Sequence, residues 1–425
     1  MSTRRLISLL LVLCVSAVCL SSCSLIIGGG EDYITREEVE KLLDGRMDGN
    51  VTVEGGDNYD ITIEGATDPD LIAASKGLLS SVSVYCVFEK NYTTGIGPGS
   101  QSSSREYASA GSGVIYSIDK STGSAYIITN YHVVYDSASN TANHVSNNIS
   151  VYLYGQEYSD YAIPATYVGG SMVYDLAVLK VQGNRILAQS NAVAADFADS
   201  NRVAVLDTAI AIGNPESKGI SATVGCVNVD SEYLELTGAD GYTTVELRVM
   251  RIDTAVNSGN SGGGLFNRRG EVIGIVNAKM ADSSVDNIGY AIPSNVARYI
   301  ADNILYYCDG TQLESVYRCL MGITVTSGNP RVSYDASTGR VHKLEDVVVD
   351  TVSEGAAAEG YLEAGDIITS ITVDGTVYRV SRMYMVVDSM LNARVGSEVV
   401  VSVTRGEESL DITVPIPESC LKASK

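Results

Sequence analysis

From Leu78 onward, short apolar runs alternate with turn signals, the period-two pattern of strands half buried against a core. Strands are predicted at 81–88, 111–118, 125–129, 149–154, 174–181, 207–212, 220–227 and 244–252. The polar stretches 91–110 and 228–243 read as long loops of the kind that gate an active site. Gly95-Ile96-Gly97-Pro98-Gly99 lies in the first of them; no helix follows it, so it reads as loop rather than as a phosphate cradle. The period then changes to that of a helix, which Ser294 caps and which carries Val296, Tyr299, Ile300 and Ile304 on one face. Beyond a connector holding Cys308 and Cys319 a smaller α/β unit is predicted. Its strands fall near 346–352, 367–373, 397–404 and 409–415, and its helix at 381–392 carries Met383, Val386, Val387, Met390 and Leu391.

The start of the chain follows a different pattern. Arg4 and Arg5 precede an apolar run from Leu6 to Leu20, short for a bilayer span and suited to a signal peptide. The run ends in Leu20-Ser21-Ser22-Cys23, which resembles a bacterial lipobox. That resemblance implies lipidation of Cys23 and a chain held on the extracytoplasmic face of the cell membrane by lipid alone. Residues 23–75 read as a spacer. Thr35-Arg36-Glu37-Glu38 is a capping box opening a short helix, and Val51–Gly55 and Ile61–Gly65 alternate as short strands or a linker would.

Composition narrows the function classes. At 425 residues the chain exceeds one core, and 41 Gly with 26 Tyr and no Trp suit β-rich packing. A net charge of −22 argues against nucleic acid as a partner, because phosphate backbones reward clustered Lys and Arg. No nucleotide-binding Gly-x-x-x-x-Gly-Lys-Ser/Thr occurs, and no cofactor is implied. Cys86, Cys226, Cys308, Cys319 and Cys420 lie outside the leader, an odd number without Cys-x-x-Cys spacing. No metal site is expected from them; disulfides and buried thiols are both open.

The chemistry concentrates in three segments. Ile252 to Leu265 contains Asn257-Ser258-Gly259-Asn260-Ser261-Gly262-Gly263, where glycines permit a tight turn that exposes the Ser261 hydroxyl. The backbone N–H groups of Gly259, Asn260 and Ser261 are candidates for an oxyanion hole. Of three histidines, His132 follows an apolar strand, whereas His144 and His342 read as surface residues. Asp175 opens the apolar strand Leu176–Lys180; a buried carboxylate there requires a partner, and an imidazole would be one.

The order His132, Asp175, Ser261 is that of the chymotrypsin-like arrangement. Thr129-Asn130-x-His132-Val133-Val134, Asp175-Leu176-Ala177-Val178-Leu179-Lys180 and Asp253 to Gly263 resemble the three signature blocks of the HtrA/Deg trypsin-like serine proteases. Ala211–Pro215 and Gly289–Pro293 resemble two further blocks. Gly264, where the family has Pro or Ala, and Tyr131, where smaller residues are usual, depart from the pattern; Gly264 is expected to loosen the turn.

The resemblance implies a mainly β fold, a chymotrypsin-like double β-barrel with the triad in its cleft. It places a pocket base at Ala255 and pocket walls at Asn277, Ala278 and Lys279, so that small or medium aliphatic residues would precede the cut. Leu320-Met321-Gly322-Ile323, with Glu354–Gly360 and Ala364–Ile368, resembles a PDZ domain. The loop Leu320–Ile323 would then hold the carboxylate of C-terminal peptides.

These readings divide the chain into a signal peptide (1–22), a spacer (23–75), a protease domain (76–307) and a PDZ domain (318–418). They imply a membrane-anchored serine endopeptidase degrading unfolded or mislocalised extracytoplasmic proteins, in a family whose members often form homotrimers, though no decisive trimer signature stands in this sequence. A dormant PDZ-containing binding or chaperone-like protein and a narrow processing protease are the competing readings.

Overall fold

The predicted strands form, and most run longer than the alternation suggests. The structure is a computed structural model describing residues 51–54, 60–63, 68–94, 101–157, 159–278, 288–310, 312–313 and 315–424. The leader, Cys23, the capping-box helix, the Gly95–Gly99 run and Lys279 lie outside the described residues. The chain partitions into two units, residues 1–52 with 62–65, and residues 53–61 with 66–425. The two alternating runs of the spacer are short strands, β1 (Val51–Glu54) and β2 (Asp60–Ile63). No helix among the described residues is long and apolar enough to cross a membrane.

What the spacer reading assigned to residues up to 75 includes the start of a helix, α1 (Pro69–Ser80). Asp68 caps it by accepting the Asp70 N–H at 2.9 Å, and Pro69 fills the first turn where no N–H is needed. Its buried Ala73 and Gly77 let the backbone lie close to Ile212 and Phe266.

The first barrel is closed by β3 (Ser81–Thr94), β4 (Gln101–Asp119), β5 (Ser124–Thr129), β6 (Asn148–Leu153), β7 (Ile163–Ser171) and β8 (Leu176–Val181), in the order β3-β4-β5-β8-β7-β6. Val82, Val84, Ile115, Ile127, Val151 and Leu179 fill it. The expected polar loop 91–110 is corrected: β3 and β4 stay paired from Ser81↔Val114 out to Thr94↔Gln101. Backbone pairing in this ribbon continues past the residues that have a core to face.

The second sheet comprises β9 (Asp196–Phe197), β10 (Thr208–Gly213), β11 (Ser221–Thr237), β12 (Thr244–Ile252), β13 (Gly264–Phe266), β14 (Glu271–Val276) and β15 (Gly289–Pro293). Its order is β13-β10-β11-β12-β15-β14-β9, and the additional β13–β14 pairing closes six of these strands into a second barrel. The expected loop 228–243 is also a hairpin; only 238–243 lie between β11 and β12. Gly264 pairs with Ile212 and Ile275 in β13, and the Phe266 ring occupies the space a side chain there would take. Gly264 thus stands in a strand beyond the turn. Helix α2 (Ser294–Tyr307) follows, but the Ser294 hydroxyl donates to Ala198 O at 2.7 Å instead of capping it.

The C-terminal domain adds β16 (Val316–Cys319), β17 (Ile323–Asp335), β18 (Arg340–Val352), β19 (Ile367–Val373), β20 (Thr376–Arg379), helix α3 (Met383–Met390), β21 (Val399–Arg405), β22 (Glu408–Val414) and β23 (Leu421–Ser424). Among the described residues β17 is an unpaired edge of the sheet β17-β18-β19-β21-β22, and β16 pairs with β23. The domain is bonded to the second barrel. Arg248 on β12 forms a buried ion pair with Asp388 on α3, and its guanidinium lies 4.1 Å from the Tyr384 ring centroid. Arg382 reaches Asp230 at 3.2 Å and Arg340 reaches Asp207 at 2.8 Å. All five described cysteines are thiols; burial pushes that of Cys86 up to about 12.

Candidate active site

β5 ends at Thr129, and the chain turns into a single helical turn, Tyr131–Val134, that carries His132. Val133 and Val134 bury into the first barrel, which fixes the direction of the imidazole between them and Tyr131. Tyr131 is itself buried and stacks on Tyr135, with centroids 5.1 Å apart.

Asp175 sits just before β8 with φ of 47°, a left-handed conformation uncommon for a side chain of this kind. It is 6% exposed, so its carboxylate needs donors, and it has three. His132 Nδ1 lies 2.7 Å from Oδ2, the His132 backbone N–H donates to Oδ1 at 3.0 Å, and Asn277 Nδ2 donates to Oδ2 at 2.6 Å. Asn130 Nδ2 holds the Asp175 carbonyl at 2.8 Å. A buried carboxylate on Nδ1 sets the tautomer that leaves Nε2 as the acceptor.

Ser261 is 5% exposed and its Oγ accepts the Ala278 backbone N–H at 3.1 Å. Among the described residues no hydrogen bond joins His132 Nε2 to this oxygen. The dipeptide Asn277–Ala278 nevertheless ties the two halves together, its first side chain on Asp175 and its second N–H on Ser261. Sequence reasoning placed both on a pocket wall; the structure gives Asn277 an additional contact with Asp175, a crossing between the barrels that no local pattern announces.

The glycine turn is tighter than three free donors would allow. The Asn260 N–H is engaged by Asn257 O at 3.0 Å, which removes it from the oxyanion candidates. The N–H groups of Gly259 and Ser261 make no backbone hydrogen bond among the described residues. Ala255 is exposed at the expected pocket base, and its carbonyl accepts the Thr223 hydroxyl at 3.1 Å. The carboxylate nearest it in sequence, Asp253, is turned onto Cys226: the Cys226 N–H at 2.6 Å holds that carboxyl below its usual range. His144 is half-buried, with Nδ1 3.0 Å from Ser139 O, and His342 is half-buried on β18.

In the C-terminal domain Gly322 adopts φ of 81°, and a Cβ there would strike Ala356. Its carbonyl accepts the Ser353 N–H at 2.8 Å, and that of Met321 accepts Ala358 N–H at 3.0 Å, so the loop's carbonyls are turned onto the protein. The Leu320 N–H is taken by Cys420 O at 2.9 Å, which removes it from the carboxylate donors and leaves Met321, Gly322 and Ile323 as the loop positions to consider. Met383 and Val387 stand exposed on α3, one helical turn apart.

Residues 111–275 match the trypsin-like peptidase domain family, and residues 319–416 match the PDZ domain family. The serine protease Do-like HtrA of Lactococcus lactis subsp. cremoris is 33% identical over 321 residues, 71% of this chain and 72% of that protein. The Do-like HtrA of Lactococcus lactis subsp. lactis is 34% identical over 285 residues, 65% of this chain and 63% of the relative. The periplasmic pH-dependent serine endoprotease DegQ of Escherichia coli is 32% identical over 265 residues, 61% of this chain and 50% of DegQ.

Proposed function

Because the chain belongs to the Do-like HtrA family of serine proteases, we propose that it cleaves unfolded or mislocalised extracytoplasmic proteins, with Ser261 as nucleophile, His132 as base and Asp175 as the group orienting the imidazole. The observation that carries this reading is the bracket of Asn277 and Ala278. It sets a buried carboxylate–imidazole pair and a serine hydroxyl on one dipeptide.

In the proposed cycle the Ser261 hydroxyl leaves the Ala278 N–H, gives its proton to His132 Nε2 and attacks the scissile carbonyl. The oxyanion takes the N–H groups of Gly259 and Ser261. Imidazolium, stabilised by Asp175, protonates the leaving amine, and water then hydrolyses the acyl-enzyme with His132 again as base. With Ala255 and Ala278 small and Asp253 engaged by Cys226, a small or medium aliphatic side chain suits the pocket better than Lys or Arg. A protein C-terminus would pair with the β17 edge, its carboxylate at the loop Met321–Ile323. Lipidation at Cys23, extracytoplasmic anchoring and assembly into trimers belong to the same reading. Cys23→Ser should release the protein from membranes, and light scattering reads the assembly.

Fluorophosphonate labelling with degradation of an unfolded test protein examines the chemistry. Wild type should label and degrade, whereas Ser261→Ala and His132→Ala should each lose about a thousandfold or more in rate. The Ser261–Ala278 bond, in place of one to His132, is the observation on the side of a dormant site. A wild type that stays unlabelled even with C-terminal peptides present would make that reading the better one.

A further inference from the structure

Ser112 lies on β4, fully buried, and no part of the catalytic chemistry calls for it. Its polar groups are all committed. The hydroxyl accepts the Asn214 N–H at 2.8 Å and donates to Gly259 O at 2.7 Å. Its backbone N–H donates to Ser261 O at 2.8 Å, and its carbonyl accepts the Thr129 hydroxyl at 2.7 Å. One residue of the first barrel thus holds the carbonyls of both residues that offer the unengaged N–H groups.

The consequence follows from peptide planarity, which points the C=O and N–H of one trans peptide in opposite directions. The Ser258 carbonyl accepts the Glu216 N–H at 2.8 Å, so the Gly259 N–H faces away from Glu216. The Asn260 carbonyl accepts the Gly263 N–H at 3.0 Å, so the Ser261 N–H faces away from Gly263. Between these two peptides lies the Gly259–Asn260 peptide, held by Asn257 O at its N–H and by the Ser112 hydroxyl at its carbonyl. A change of ψ at Gly259 or φ at Asn260 that the other does not offset would turn the two flanking N–H groups relative to each other, and holding the middle peptide restrains both angles. Gly259, at φ of 98°, has a backbone free to rotate in ways other residues are not, so an external restraint is needed. A Cβ at Gly259 would strike Asn214 O, so the segment is confined from that side too.

We propose that Ser112 is the positioning residue of the oxyanion hole: its hydroxyl, braced by the Asn214 N–H, pins the Gly259–Asn260 peptide so that the Gly259 and Ser261 N–H groups converge. The proposal rests on the endopeptidase reading and deepens it. Ser112 touches no substrate atom, and it acts only through the loop it holds.

The test uses the full mature chain and three variants, Ser112→Ala, Ser112→Cys and Ser261→Ala, with active sites counted by fluorophosphonate labelling taken to its end point. On a peptide substrate, Ser112→Ala should lower kcat per labelled site by about 10- to 100-fold while KM stays within about twofold. Inhibition by a peptide boronate, whose tetrahedral adduct places an oxygen in the hole, should weaken by a similar factor. Ser112→Cys, nearly the same shape with a weaker donor, should fall between, and it carries the test if Ser112→Ala does not fold. A residue that only supports the fold would reduce the number of labelled sites and leave kcat and boronate affinity per site unchanged; that result would overturn the proposal. If wild type is neither labelled nor inhibited and behaves as Ser261→Ala does, the endopeptidase reading falls, and the positioning role falls with it.

Discussion

Asn277 shows how much one side chain can decide. Its amide is one of three donors on a carboxylate with almost no access to water, and its neighbour's N–H holds the serine hydroxyl. Asn277→Ala should therefore lower kcat about tenfold, the value of a charge-assisted hydrogen bond, with an unchanged circular dichroism spectrum. Gly322 is the corresponding position in the C-terminal domain. Gly322→Ala would require a side chain at φ of 81° and a collision with Ala356. It should weaken binding of a C-terminal peptide at least about tenfold by fluorescence anisotropy and leave cleavage of a short peptide intact. His132 and Asp175 were legible as polar residues at the ends of apolar strands, and Ser261 from the glycines that flank it. The links through Asn277 and Ser112 were not. Ser112 lies on a strand of the first barrel and Asn277 just beyond one of the second, and strand alternation says nothing of a partner in the other barrel.

At the level of elements, the strand patterns were readable wherever one face meets a core. They failed where that condition lapses. β17 carries Gly328-Asn329-Pro330 and is largely exposed, so no buried face imposes alternation on it. The outer parts of the β3–β4 and β11–β12 ribbons are held by backbone pairing, which polar sequence does not forbid. α1 had its cap and proline in plain view, but Ala73, Ala74 and Gly77 hide the helical period behind small side chains. The meeting of β12 and α3 has the clearest energetic consequence. Arg248→Ala would leave Asp388 buried and unpaired, at a cost of about 3–5 kcal/mol in urea denaturation. Replacing both, as Arg248→Met with Asp388→Leu, should recover most of that loss. A double change as costly as the sum of the two singles would show that the pair is not coupled.

For the molecule as a whole, this contact also sets a response to alkali. Burial pushes the Tyr384 phenol up to about 12, whereas an unfolded tyrosine ionises near 10. Between those values the folded state binds more protons than the unfolded one, so stability is complete below about pH 10 and is lost as pH rises toward 12. Tyr384→Phe should flatten that decline in a series of urea midpoints from pH 9 to 11. The two family matches, 111–275 and 319–416, are separable along the chain, yet one buried cluster takes in Ile292, Ile300, Val316 and Leu391, with Tyr378 packed against it. A chain ended after the protease domain would strip Arg248 of its counter-ion and open that cluster to water. Matching family by family does not make the parts separable in folding, and a truncated protein that loses activity would report a damaged scaffold before it reported a missing regulator.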